Sequence, residues 1–216
     1  SESYQYIFSA GAAGSAGDAI SIAKWTGTGE IYTWDGSTSH RTGTNVTSNS
    51  WNNIVVTHTG TERKVYLNGS LIGTFTSGNL NLNSINVIGS FFNSNYWING
   101  KISNVQIWDS ALQATGTNSI ETLYNNGSPL TTAIATDNLK GWWKLNNNEI
   151  FNGTNWEVEN QKYPAGFDSA LSFPAADDYI SIGSTTLGIN TAIAISAWVK
   201  TSVNTGYGAI INEDDA

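Results

Sequence analysis

The sequence predicts an all-β protein, a two-sheet antiparallel jelly-roll sandwich with one short helix. Three observations carry that expectation. Short segments alternate apolar and polar residues with a period of two. Asn-Gly pairs separate such segments and suit hairpin turns, because both residues tolerate positive φ. Only one stretch spaces its apolar residues as a helix does. At 216 residues the chain is long enough to bury one sizeable core.

The elements follow in order. In "YQYIFSA", Tyr4, Tyr6 and Phe8 share a face. "AISIAKW", "EIYTW" and "NIVVTHT" read as further strands. "KVYL" and "SLIGTF" flank Asn68-Gly69 and form a predicted hairpin; Asn99-Gly100 reads the same way between "YWI" and "KISNVQIW". "TNSIETLYNNG" is the predicted helix. Asn118 is its expected cap, Glu121 completes a capping box, and Gly127 ends it. Residues 127–138 are the least patterned stretch and read as a connection. In "IAISAWVK", Ile193, Ile195, Ala197 and Val199 face one way, and Ala194, Ser196, Trp198 and Lys200 the other.

Composition narrows the function. Charged residues are 12% of the chain and the formal net charge is −8, so no basic face is expected for nucleic acid. No apolar run approaches the ~18 residues of a membrane span, and no membrane insertion is expected. The chain has no cysteine, which removes disulfides, thiolate metal sites and cysteine nucleophiles. Glycan hydrolysis needs paired carboxylates facing one cleft. Glu157 and Glu159 in "NWEVEN" are the nearest pair, in a poorly patterned segment, and the reading is non-catalytic. His58 is expected as a packed or surface strand residue and His40 in a loop; no third group joins either into a catalytic triad or metal set.

Nine tryptophans are the stronger lead. Trp142, Trp143 and Trp198 lie within strands and read as core. Trp25, Tyr32, Trp34-Asp35 and Tyr96-Trp97 sit beside turns rich in Gly, Asn or Ser. Sugar rings stack on aromatic faces while amides and carboxylates bond their hydroxyls. Trp34, Asp35, Asn95 and Trp97 are therefore the candidate ligand-binding residues.

The order of motifs resembles a known family. "WNNIVVTHTGTERKVYLNGSLIGTFTSGNLNLNSINVIGS", then "YWINGKISNVQIWDSALQ" and "IETLYNNG", resembles the second half of the laminin-G-like, concanavalin A-like jelly rolls over residues 51–127. "SALSFPAADDYISIG…TAIAISAWVK", residues 169–200, resembles the first half, and "DNLKGWWKL" its opening strand. Residues 1–128 thus resemble the family's C-terminal part and 137–216 its N-terminal part, together one domain over 1–216 with the halves in permuted order. Either the domain is circularly permuted or it is one period of a tandem array. Halves exchanged between neighbours form a fibre or ring.

The resemblance implies more. In the pentraxin branch, calcium ligands fall at about the loop made by joining Ala216 to Ser1, which implies calcium at Glu2, Asp214 and Asp215, with Asn93 from a second loop. Cysteine-free, Asn/Ser/Thr-rich versions with segments like "GWWKL" and "FNGTNW" are similar to phage and bacterial surface proteins. The expected function is a non-catalytic extracellular adhesion module on a virion or bacterial cell surface, binding a glycan or host-surface polysaccharide. The alternative is a structural repeat or subunit of a filament, fibre or shell, whose partners are copies of itself.

Overall fold

The computed structural model describes residues 4–82, 86–91, 96–145, 150–151, 156–158, 171–173, 180–181 and 192–201. The strands are β1 Tyr4–Gly11, β2 Ala19–Trp25, β3 Glu30–Trp34, β4 Ser39–Asn45, β5 Asn52–Thr59, β6 Glu62–Leu67, β7 Ser70–Thr76, β8 Asn86–Ile88 and β9 Gly100–Trp108. Helix α1 spans Ile120–Tyr124, followed by β10 Leu139–Trp143, β11 Ile150–Phe151, β12 Trp156–Glu157, β13 Leu171–Phe173, β14 Ile180–Ser181 and β15 Ala192–Thr201. Among the described residues they build a six-stranded sheet, β14-β8-β1-β2-β3-β4, a seven-stranded sheet, β10-β9-β15-β5-β6-β7 with β13 also on β9, and the two-stranded pair β11-β12. All pairings are antiparallel, as a jelly-roll sandwich requires. No described helix is long and apolar enough to cross a membrane.

The period-two pattern sets the core. Ile20, Ile22 and Ile31 from one sheet meet Ile54, Val56, Val65 and Ile107 from the other. Burying each such side chain contributes roughly 1.5–3 kcal/mol. Strand β15 behaves as its alternation predicts: Ile193, Ile195, Ala197 and Val199 enter this core, while Ala194 joins a second cluster on the outer face. That second cluster packs Ile120 and Leu123 of α1, and Ile134 of the connection, against Val55, Trp108 and Trp142. Trp142, Trp143 and Trp198 are buried, as expected of core residues.

Strand β15 lies in the middle of its sheet, paired along β5 on one side and β9 on the other. The segment resembling the family's front half therefore completes a sheet whose other central strands come from residues 52–108. Both ends of the chain, residues 1–3 and 202–216, lie outside the described residues.

Five local expectations need correction. Tyr4, Tyr6 and Phe8 do not share a face, because the register with β2 slips between Tyr6 and Phe8. The extra residue, Ile7, turns Phe8 into the core and leaves Tyr6 outside. Asn68-Gly69 does form the hairpin, with φ of 50° and 78° and Leu67 paired to Ser70. Asn99-Gly100 does not; Gly100 is the first residue of β9, and neither residue has a positive φ. The helix cap is Ser119, whose hydroxyl accepts from the Thr122 N–H, while Asn118 stands before it at φ 57°. The helix closes on Asn125 in the left-handed conformation, ahead of Gly127. Finally, His40 lies within β4 rather than in a loop.

Candidate functional site

The outer face of the six-stranded sheet carries an aromatic cluster. Alternation places Tyr4 and Tyr6 of β1, Ala23 and Trp25 of β2, and Tyr32 and Trp34 of β3 on this side, as the cross-strand pairs Tyr4–Trp25, Tyr6–Ala23 and Ala23–Tyr32 require. Tyr6 and Tyr32 form a buried floor, with Tyr4, Trp34, Phe91 and Tyr96 half-buried around it. The rings interlock edge to face. Tyr6 and Tyr32 lie 5.6 Å apart, Tyr4 and Trp25 5.0 Å, and Trp34 and Phe91 5.2 Å. Such pairs contribute about 0.5–1.5 kcal/mol each beyond the area they bury, so the cluster is rigid. Burial pushes the Tyr6 and Tyr32 hydroxyls well above the usual tyrosine range, so both stay protonated.

Phe91 and Tyr96, which follow β8, pack on this face. Phe91 packs 4.4 Å from Tyr6, and the Tyr6 N–H donates to the Tyr96 carbonyl at 3.1 Å. Tyr96 holds φ at 69°, a conformation that costs a bulky residue strain. At the cluster's flank the Arg41 guanidinium lies 3.9 Å from the Trp25 ring centre. Arg41 is also paired with Glu30, whose other oxygen accepts the Gly43 N–H at 2.8 Å. Hydrogen bonds from Arg41 hold the Glu30 carboxyl below its ordinary range. The flank therefore presents a neutralised ion pair.

Trp34 is clamped by its own backbone. Its N–H donates to Ser21 Oγ at 2.8 Å and its carbonyl accepts from Arg63 Nη1 at 2.7 Å. Arg63, fully buried on β6, also reaches the Ala19 carbonyl at 2.7 Å and so ties the two sheets together. Its Nε donates to His58 Nδ1 at 3.3 Å, which leaves the His58 proton on Nε2, donating to the Gly60 carbonyl at 2.8 Å.

Of the predicted ligand-binding residues, the structure puts Trp34 in the cluster and leaves Trp97 half-buried after Tyr96. Asp35 has a different place. It is 1% exposed, and its carboxylate is taken up inside the protein. Oδ1 accepts from the Ser37 and Thr38 N–H groups at 2.9 and 2.7 Å; Oδ2 pairs with His40 Nε2 at 2.9 Å and accepts from Ser77 Oγ at 3.2 Å. Burial alone raises its pKa, but these bonds outweigh burial and hold the carboxyl well below the usual range. Asp35 is the knot of its loop and has no oxygen to offer a sugar. Nor does the Ser37–Asp35–His40 group form a catalytic triad, because the carboxylate, not the imidazole, occupies the middle. Asn95 and the calcium set Glu2, Asn93, Asp214 and Asp215 lie outside the described residues, as does Glu159. Among the described residues no three His, Asp or Glu side chains gather for a metal.

The sequence reading marked Trp25, Tyr32 and Tyr96 as aromatics beside turns but did not join them to Tyr4, Tyr6, Phe91 and Arg41. The signal available was the shared face of Tyr4 and Tyr6, once β1 is set beside β2. A cleft of about 380 Å³ also opens near α1, lined by Ser110, Gln113, Asn118 and Asp137 among others, with no aromatic ring in its wall.

A family model described as the concanavalin A-like lectin/glucanases superfamily matches residues 1–118, more than half of the chain. No curated protein and no solved structure matches.

Proposed function

Since the chain belongs to the concanavalin A-like lectin/glucanase superfamily, we propose that it is a non-catalytic adhesion module that binds glycans on the aromatic face of its six-stranded sheet. One observation carries this reading. Half-buried Trp34, Tyr4, Phe91 and Tyr96 stand around a buried tyrosine floor, a rigid platform that costs little ordering on binding. The Arg41–Glu30 pair at its flank is neutralised, and the formal net charge is −8, so neutral glycans fit better than sulfated ones. Composition and the resemblance to phage and bacterial surface proteins support an extracellular setting, with a host-surface polysaccharide as partner. Calcium belongs to the same proposal, through Glu2, Asp214, Asp215 and Asn93.

The test is a glycan array probed with the full chain, with calcium and with a chelator, beside Trp34→Ala. We expect binding to neutral glycans, lost with the chelator, and weakened about tenfold in Trp34→Ala, the loss of one stacking contact of about 1.4 kcal/mol. An array without hits removes the lectin reading. Hits that ignore the chelator remove calcium and leave the platform.

The second reading, a structural repeat or subunit, draws on one observation. A strand from the far end of the sequence, β15, fills the centre of a sheet, a position that a neighbouring copy's strand fits equally well.

A further inference from the structure

The outer face of the seven-stranded sheet holds a seam of buried polar side chains that the proposed glycan platform does not use. Register sets Ser196 of β15 beside Gln106 of β9, Gln106 beside Trp142 of β10, and Trp198 beside Asn53 of β5. All five residues are buried, and Asn104 of β9 joins them from a bulge where its φ is 54°. The hydrogen bonds orient one another. An indole N–H only donates, so Trp142 Nε1 fixes Oδ1 of Asn104 as its acceptor. Gln106 Nε2 donates to the same oxygen at 3.2 Å, which turns Gln106 Oε1 away. Asn53 Nδ2 meets Ser196 Oγ at 3.1 Å.

What remains is two donors and two acceptors. Asn104 Nδ2, Trp198 Nε1, Asn53 Oδ1 and Gln106 Oε1 are buried with no hydrogen-bond partner among the described residues. Leaving four such groups unpaired opposes folding, because each has given up its bonds to solvent. Water both donates and accepts, so it can satisfy donors and acceptors alike. Anions and cations fit poorly, since either satisfies only one half of the set. Tyr124 of α1 stacks on Trp198, ring centres 6.1 Å apart, so the helix lies over this part of the seam. We propose that the seam is a binding site for internal water, held between β5, β15, β9 and β10 by Asn53, Asn104, Gln106 and Trp198.

The test uses the full chain and Trp198→Phe, which keeps a ring on Tyr124 but deletes the Nε1 donor. Oxygen-17 relaxation dispersion of the solvent reads waters that exchange slowly from the interior. We expect the wild type to show a slow-water signal that falls in the variant, together with a lowered melting temperature. A signal equal in the two proteins overturns the proposal. A rise in melting temperature overturns it too, because deleting a donor that bonds nothing relieves a burial cost. Gln106→Leu, which deletes an acceptor on the neighbouring strand, gives the same readout should Trp198→Phe fail to fold.

Discussion

His58 and Arg63 show how one buried contact governs both stability and the display of Trp34. Burial and the adjacent Arg63 cation lower the His58 pKa from 6.5 to about 4. Neutral His58 accepts from Arg63, while protonated His58 loses that bond and sets two cations side by side. The sign follows from proton uptake. Above pH 6.5 neither the folded nor the unfolded chain protonates this residue, and its contribution is complete. Between pH 6.5 and about 4 the unfolded chain binds a proton that the folded chain refuses, and stability falls. Below the ordinary aspartate range Asp35, held low by its hydrogen bonds, adds a second loss of the same sign. We expect the melting temperature to be level from pH 8 to 7 and to drop by several degrees between pH 6.5 and 4. In His58→Gln, which does not titrate, that part of the slope should flatten. An unchanged slope would place the acid sensitivity elsewhere.

Elements were legible where the pattern is local. The alternation of β15 sorts its side chains between two clusters, and Asn68-Gly69 makes its hairpin, because both depend only on neighbouring residues. The β1 bulge at Ile7 and the left-handed Asn104 were not legible, since each exists only against a partner strand. The same limit hid the site: Trp34 stands out in the sequence, but its companions come from β1, β2 and the loop after β8. Asp35 misled for the opposite reason. An Asp beside a Trp suits a sugar, yet an Asp at a strand end also suits a turn, and here the turn takes every oxygen. The hairpin and helix meet at one point. A Cβ on Gly69 would lie 3.0 Å from Tyr124 Cδ1, and φ is 78° there. Gly69→Ala should therefore destabilise by about 1–2 kcal/mol in a denaturant melt, from backbone strain and from pushing Tyr124 off Trp198. A neutral result would mean that the turn and the ring both shift freely.

At the scale of the molecule, the position of β15 sets what a closed unit and an exchanging one must share. A strand between β5 and β9 cannot be a late addition, since without it both neighbours present open edges of unpaired N–H and C=O groups. Its apolar side fills the core, and its polar side meets Asn53 and Gln106, which resist a slip of one residue because a slip would send Ser196 into the core and Ile195 out of it. The slot therefore selects this strand and this register, but either the chain itself or a neighbour can supply it. A closed, permuted domain predicts a mass in sedimentation equilibrium of one chain, independent of concentration. A mass that grows in whole-chain steps would instead favour strands exchanged between copies, and the proposed glycan platform would then be displayed many times along one assembly, where avidity replaces affinity.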